Sequence, residues 1–118
     1  MRIKVTGLML VWACIPMISQ AAMTWSGCVT VTGVSNYIAN NNMVILALSP
    51  DLPACVPNGI SGATFFVAGT YGVTSSNVSS FLASGLLAYS TGMPVMVYYD
   101  TASCAGALVS NGGYAGQC

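Results

Sequence analysis

Alternating and continuous apolar stretches predict five β-strands. Residues 28–39 alternate and are rich in β-branched side chains, whereas residues 43–49 contain enough consecutive apolar residues for a strand buried on both faces. The Asn-rich segment between them is a turn signal, so these two strands are expected to form a hairpin. The predicted strands lie at residues 28–39, 43–49, 63–73, 94–100 and 107–111.

One amphipathic helix is predicted between the third and fourth strands. Ser76 or Asn77 is placed to cap its N-terminus. Gly92 is placed to end it in the left-handed conformation, and Pro94 prevents it from resuming. Six residues recur at helical spacing and are expected to share one buried face: Val78, Phe81, Leu82, Gly85, Leu86 and Tyr89.

The predicted order is strand-strand-strand-helix-strand-strand, which makes the fold class mainly β with one helix. This is the element order of the OB-fold, a five-stranded barrel, and a single amphipathic helix would plug one open end of it. A small β-sandwich is the alternative. The pattern contains no long repeat and no linker that would separate a second domain.

The first 21 residues have the pattern of a secretory signal peptide. Arg2 and Lys4 precede an apolar run of about a dozen residues, which is short for a membrane span of about 20 residues. Small residues follow, and we place cleavage after Ala21 or Ala22. The remaining chain, 22–118, is enough for one small domain, expected to be secreted or periplasmic.

A lipoprotein signal ending at Cys14 is the alternative for this leader. Such a signal expects a small residue where the chain has the bulky Trp12. We therefore favour an ordinary secretory signal.

The distribution of charge excludes several functions. Beyond Lys4 the chain has no Lys, Arg or His, and Asp51 and Asp100 are its only acidic residues. It therefore lacks the cations that neutralise nucleic-acid phosphates or attract anionic membranes. Without an imidazole or a cation to tune the carboxylates, an enzyme is not expected, nor is a cofactor. Both aspartates are expected to be solvated loop residues, with a paired carboxylate or calcium site as the alternative.

Four cysteines remain beyond the leader, an even number in an exported domain of under 100 residues: Cys28, Cys55, Cys104 and Cys118. They predict two disulfides, and a zinc site is not expected because there is no CxxC pair and no His. Spacing does not choose among the three connectivities. The predicted topology places Cys55 and Cys104 at one end of the barrel, which favours bonds 55–104 and 28–118. Bonds 28–55 and 104–118 are the alternative.

Two short stretches resemble the B subunits of subtilase-cytotoxin and pertussis-like toxins. "AYSTGMPVMVYYD" (88–100) is similar to a family segment in which a helix ends in Tyr-x-Thr-Gly and a Pro-Val-x-x-Tyr-Tyr-acidic strand follows. "TWSG" (24–27) is similar to the Trp-Thr-Gly start of the mature family members. The resemblance implies an OB-fold subunit that forms a ring, usually a homopentamer, binds cell-surface glycans and carries an enzymatic A subunit. Family members generally have charged surfaces, which this chain lacks.

The resemblance also implies two glycan-binding residues. Tyr98 and Tyr99 are adjacent on a strand, so one is expected in the core while the other can meet a sugar; the alternative is that both are packing residues. Tyr99 matches a family position in the glycan pocket, and Ser35 lies where the family uses a serine to hold an acidic sugar. An arginine for that sugar is missing. The alternative function is a secreted structural or assembly protein whose uncharged surface serves protein contacts.

Overall fold

Two three-stranded sheets and one α-helix make up the part of the chain that the computed structural model describes, residues 22–39 and 42–111. The mainly β fold with one helix is thus confirmed for these residues. In chain order, the elements are β1 (Met23–Trp25), β2 (Thr30–Tyr37), β3 (Met43–Ser49), β4 (Ala63–Phe66), α1 (Val78–Thr91), β5 (Val95–Asp100) and β6 (Gly106–Asn111), with a short 3₁₀ helix at Pro57–Gly59.

The sheets are antiparallel, with strand orders β1-β5-β6 and β2-β3-β4. Isolated bridges link them, antiparallel between Val29 and Val95 and parallel between Phe65 and Ala105. Continuous strand pairing does not close the sheets into the expected barrel. One reason is local: the chain is interrupted between β1 and β2, where Gly27 has a φ of +77° that side-chain-bearing residues rarely adopt.

Strand β3 is buried on both faces, as its continuous apolar run predicts. Val44 and Leu46 belong to the main core between the two sheets. Met43 and Ile45 point to the other face, where they form a second cluster with Ala63. The burial of both faces follows from these two clusters, since the main core packs against one face of β3 and the second cluster lies on the other.

Helix α1 packs on the main core through a narrower face than predicted. Val78 and Gly85 are buried together with Ala88, whereas Leu86 and Tyr89 are 49% and 55% exposed. A β-carbon at Gly85 would collide with the side chain of Leu46. The helix therefore approaches the core most closely along its small residues, and larger side chains beside this line remain outside.

Both helix ends lie where the sequence predicts, but the N-terminal hydrogen bonds differ. Asn77 occupies the N-cap without a side-chain cap bond. Its Oδ1 accepts from the Thr74 N–H at 2.7 Å and its Nδ2 donates to the Gly72 carbonyl at 3.1 Å. The Asn77 side chain thus stabilises the preceding turn. Gly92 ends the helix with a φ of +70°, and its N–H donates to the Ala88 carbonyl at 2.9 Å.

The predicted third strand ends early, because the glycine-rich residues 67–73 form turns. The Gly69 N–H donates to the Val73 carbonyl at 2.9 Å and closes one of them. Phe66, the last residue of β4, stacks on Phe81 with ring centroids 4.4 Å apart. No helix in the described residues is long and apolar enough to cross a bilayer.

Candidate functional site

The adjacent tyrosines of β5 point to opposite faces, and Tyr99 is the one in the core. It is 6% exposed and joins Val95 and Val97 in the main cluster. Its ring therefore has no open face for a sugar. This corrects the choice of Tyr99 as the stacking residue. Its neighbour Tyr98 is half-buried and lies on the opposite face of β5, where a residue that stacks on a ligand would have to be.

Tyr98 lies in the middle of a row of apolar side chains across the first sheet. Trp25 of β1 and Leu108 of β6 are its cross-strand partners. The Trp25 and Tyr98 ring centroids are 5.1 Å apart at an interplanar angle of 46°. Leu108 is 51% exposed, and Trp25 is half-buried. We call Trp25, Tyr98 and Leu108 the aromatic row.

The residue after Trp25 holds the row together. The Ser26 N–H donates to the Val97 carbonyl at 2.8 Å, and the Ser26 Oγ accepts from the Val97 N–H at 3.0 Å. The same hydroxyl donates to the Gly27 carbonyl at 2.8 Å. Because these bonds continue the pairing just past β1, they fix Trp25 opposite Tyr98.

The aromatic row combines apolar ring faces with the polar hydroxyl edge of Tyr98. An aromatic ring combines a large apolar face with a polar edge, which suits a sugar ring with apolar and hydroxyl-bearing sides. The described residues contain no Lys, Arg or His, so such a site would bind by stacking and neutral hydrogen bonds. Sequence reasoning used Trp25 for the resemblance but did not assign it to the site, because its neighbour is revealed only by the strand register.

Ser35 does not join either tyrosine. It lies in β2, opposite Ile45 of β3, and is half-buried. Directly opposed residues share a sheet face, so Ser35 is on the side of the second cluster that contains Ile45. Tyr99 lies in the main core instead. The two predicted glycan-binding residues therefore do not form one surface in the described structure.

Asp100 is 3% exposed, which corrects the expectation of a solvated loop residue. Its Oδ1 accepts from the Ala102 N–H at 2.8 Å. Its Oδ2 accepts from the Tyr71 hydroxyl and, at 3.1 Å, from the Ser103 hydroxyl. The Tyr71 hydrogen bond, followed by that from Ala102, lowers the pKa of Asp100, and the same contact with Asp100 raises the pKa of Tyr71.

These pKa shifts predict stability that falls at both pH extremes. Asp100 is more acidic when folded, so its contribution is present above the unfolded pKa of about 3.9 and is lost as pH falls through the folded pKa. Tyr71 holds its proton more tightly when folded, so its contribution is lost as pH rises above about 10. Denaturant midpoints measured across pH should show both limbs. Asp100→Asn should flatten the acid limb; an unchanged acid limb would contradict the assignment.

The predicted disulfide between Cys55 and Cys104 is confirmed, with a Cα–Cα distance of 5.6 Å. It excludes the alternative connectivity. Cys28 is also disulfide-bonded, but the predicted pairing with Cys118 lies outside the described residues. The Thr64 hydroxyl donates to the Cys104 carbonyl at 2.7 Å, which ties β4 to the bonded turn. A disulfide is compatible with an extracellular or periplasmic location.

The predicted signal peptide and the metal-site alternatives have different outcomes. The predicted signal peptide, including Cys14, lies outside the described residues. Within residues 22–39 and 42–111, no three His, Cys, Asp or Glu side chains gather as a possible metal site, and Asp51 is exposed.

Comparison with protein-family models, curated proteins and solved structures found no match to this chain.

Proposed function

We propose that this chain is a secreted glycan-binding subunit that uses the aromatic row to stack on a neutral sugar. The observation that carries the proposal is the Trp25–Tyr98 ring pair on the sheet face turned away from the main core. The absence of cations beyond Lys4 points to a neutral ligand. Binding rather than catalysis is its role, since the chain has no imidazole and Asp100 is committed to its own turn.

An OB-like arrangement is the finer fold that we propose. In its support, α1 lies between β4 and β5, and the Val29–Val95 bridge joins the beginning of β2 to the strand after the helix. The parallel Phe65–Ala105 bridge relates β4 to the start of β6. Both bridges support the proposal, because an OB barrel would bring these pairs of strands together.

Ring assembly, most simply as a pentamer, would complete this function. Neutral stacking sites are weak, with dissociation constants on the order of millimolar. Several such sites on one ring would raise avidity by roughly 10² or more. An apolar surface available for subunit contacts includes Leu86, Leu87, Tyr89 and Met93. An enzymatic A subunit as partner rests on the family resemblance alone.

Tyr98→Ala is expected to weaken glycan binding at least about tenfold, because it removes the central ring of the row. Ile38→Ala is the control, since Ile38 is 75% exposed just after β2 and belongs neither to the aromatic row nor to the apolar helix surface. Both variants would be tested on a glycan array, followed by titration of the best neutral glycan. Equal binding by Tyr98→Ala and the unmodified protein would refute the aromatic row as the site.

The same exposed apolar helix surface favours a second candidate, a secreted assembly protein that works through protein contacts. Light scattering of the unmodified protein distinguishes the two. A five-subunit mass with a positive array supports the glycan-binding ring. A monomer at micromolar concentration with a blank array would favour the assembly protein.

A further inference from the structure

A small cleft separates the β2–β3 hairpin from the first turn of α1. Its volume is about 120 Å³. Three apolar residues supply an apolar side, namely Val44, Val78 and Leu82. Four uncharged polar residues supply the rest of the lining: Asn36, Asn42, Ser75 and Ser79.

The apolar side of the cleft is anchored in the core. Val44 and Val78 are both buried members of the main cluster, and Leu82 packs against it. These side chains hold their places because moving them would open the core. The cleft is therefore a feature of the packed fold rather than of surface side chains alone.

The polar side chains of the cleft keep their hydrogen-bonding capacity. Within the described residues, none of the four makes a side-chain hydrogen bond, although neighbouring polar residues do. Thr74 bonds to Ser76 and Asn77, and Asn77 bonds back to Thr74 and Gly72. The hydrogen bonds of Thr74, Ser76 and Asn77 thus stabilise the turn itself. Ser75, between them, lines the cleft.

Size and charge define what this cleft accepts. Pockets for drug-sized ligands measure about 300–1,000 Å³, so this one takes a single substituent of a larger ligand. No residue in its lining is ionisable. The asparagine amides both donate and accept, and the serine hydroxyls do the same. A matching substituent is uncharged, has one donor and one acceptor, and carries a small apolar group.

The geometry points to an acetamido-binding subsite in this cleft, which takes the N-acetyl group of an amino sugar. Its amide N–H and carbonyl bond to the asparagine and serine side chains, and its methyl group lies against Val44, Val78 and Leu82. The four polar side chains of the lining suit the hydroxyls of an attached sugar ring better than they suit the apolar side chain of an acetylated lysine. This site is separate from the aromatic row and does not depend on it.

Titration followed by amide NMR shifts tests the subsite. N-acetylglucosamine and N-methylacetamide are expected to shift the backbone amides of residues 36, 42, 75 and 79 with saturation, while glucose does not. Ser79→Ala should weaken N-acetylglucosamine binding about fivefold through the loss of one neutral hydrogen bond. Ser80→Ala is the matched control, because Ser80 is exposed on the same turn and does not line the cleft.

The outcomes separate this subsite from the aromatic row. Shifts at the cleft that persist in Tyr98→Ala support an independent site. Equal shifts with glucose, or shifts with acetate ion but not with N-methylacetamide, would overturn the acetamido assignment. So would Ser79→Ala binding as tightly as Ser80→Ala, or Nε-acetyl-lysine binding more tightly than N-acetylglucosamine.

Discussion

Replacing Tyr99 with alanine is expected to lower the free energy of unfolding by about 3 kcal/mol or more. The ring is 6% exposed and packs in the main core beside Val97, on the face of β5 that lies between the two sheets. Its removal would leave a cavity that strand pairing on both sides of β5 prevents from collapsing. Chemical denaturation of the purified variant measures the loss.

Tyr98→Ala is the matched control for this experiment, since it removes the same side chain from the next position of the same strand. Because Tyr98 lies outside the core clusters and is half-buried, we expect a loss of about 1 kcal/mol. The two variants should therefore separate the two effects, with Tyr99→Ala mainly lowering stability and Tyr98→Ala mainly weakening glycan binding. A stable Tyr99→Ala protein that no longer binds glycan would instead restore Tyr99 as the sugar-facing residue.

Removing the Cys55–Cys104 disulfide is expected to cost about 4 kcal/mol in the chain-entropy model, which assigns larger effects to longer loops. The bond joins residues separated by 49 positions, and both cysteines are buried. It connects the loop before β4 to the turn after β5. The Cys55→Ala/Cys104→Ala double variant avoids an unpaired thiol, and its denaturation midpoint would be compared with that of the unmodified protein.

Peptide mapping without reduction supplies the independent check on this bond. A cross-linked peptide that contains both Cys55 and Cys104 is expected. A Cys104–Cys118 peptide would contradict the pairing, and the stability comparison would then have to be reinterpreted.

The sequence alone was sufficient where the signal is local and repeated. The bounds of β3 follow from the unbroken apolar run 43–48, which ends at Ser49, between two turn-forming segments. The end of α1 follows from Gly92 and Pro94, because one adopts positive φ easily and the other cannot continue a helix. The Cys55–Cys104 bond is not a local signal; it was favoured only because the predicted barrel topology places the two connections at the same end.

Contacts between distant residues decided the rest. The alternation of side chains along a strand predicts that Tyr98 and Tyr99 face opposite ways, but only the packing of the two sheets determines which of the two faces the core. Trp25 reaches Tyr98 through a pairing across more than 70 positions, which no local pattern contains. Asp100 was predicted to be a solvated loop residue because its hydrogen-bond partner Tyr71 is 29 positions away and no local pattern links the two. Local chemistry thus determined β3, the helix and the ends of that helix, but not β1 or the early end of β4. The way that the elements pack determined which side chains are left for a ligand.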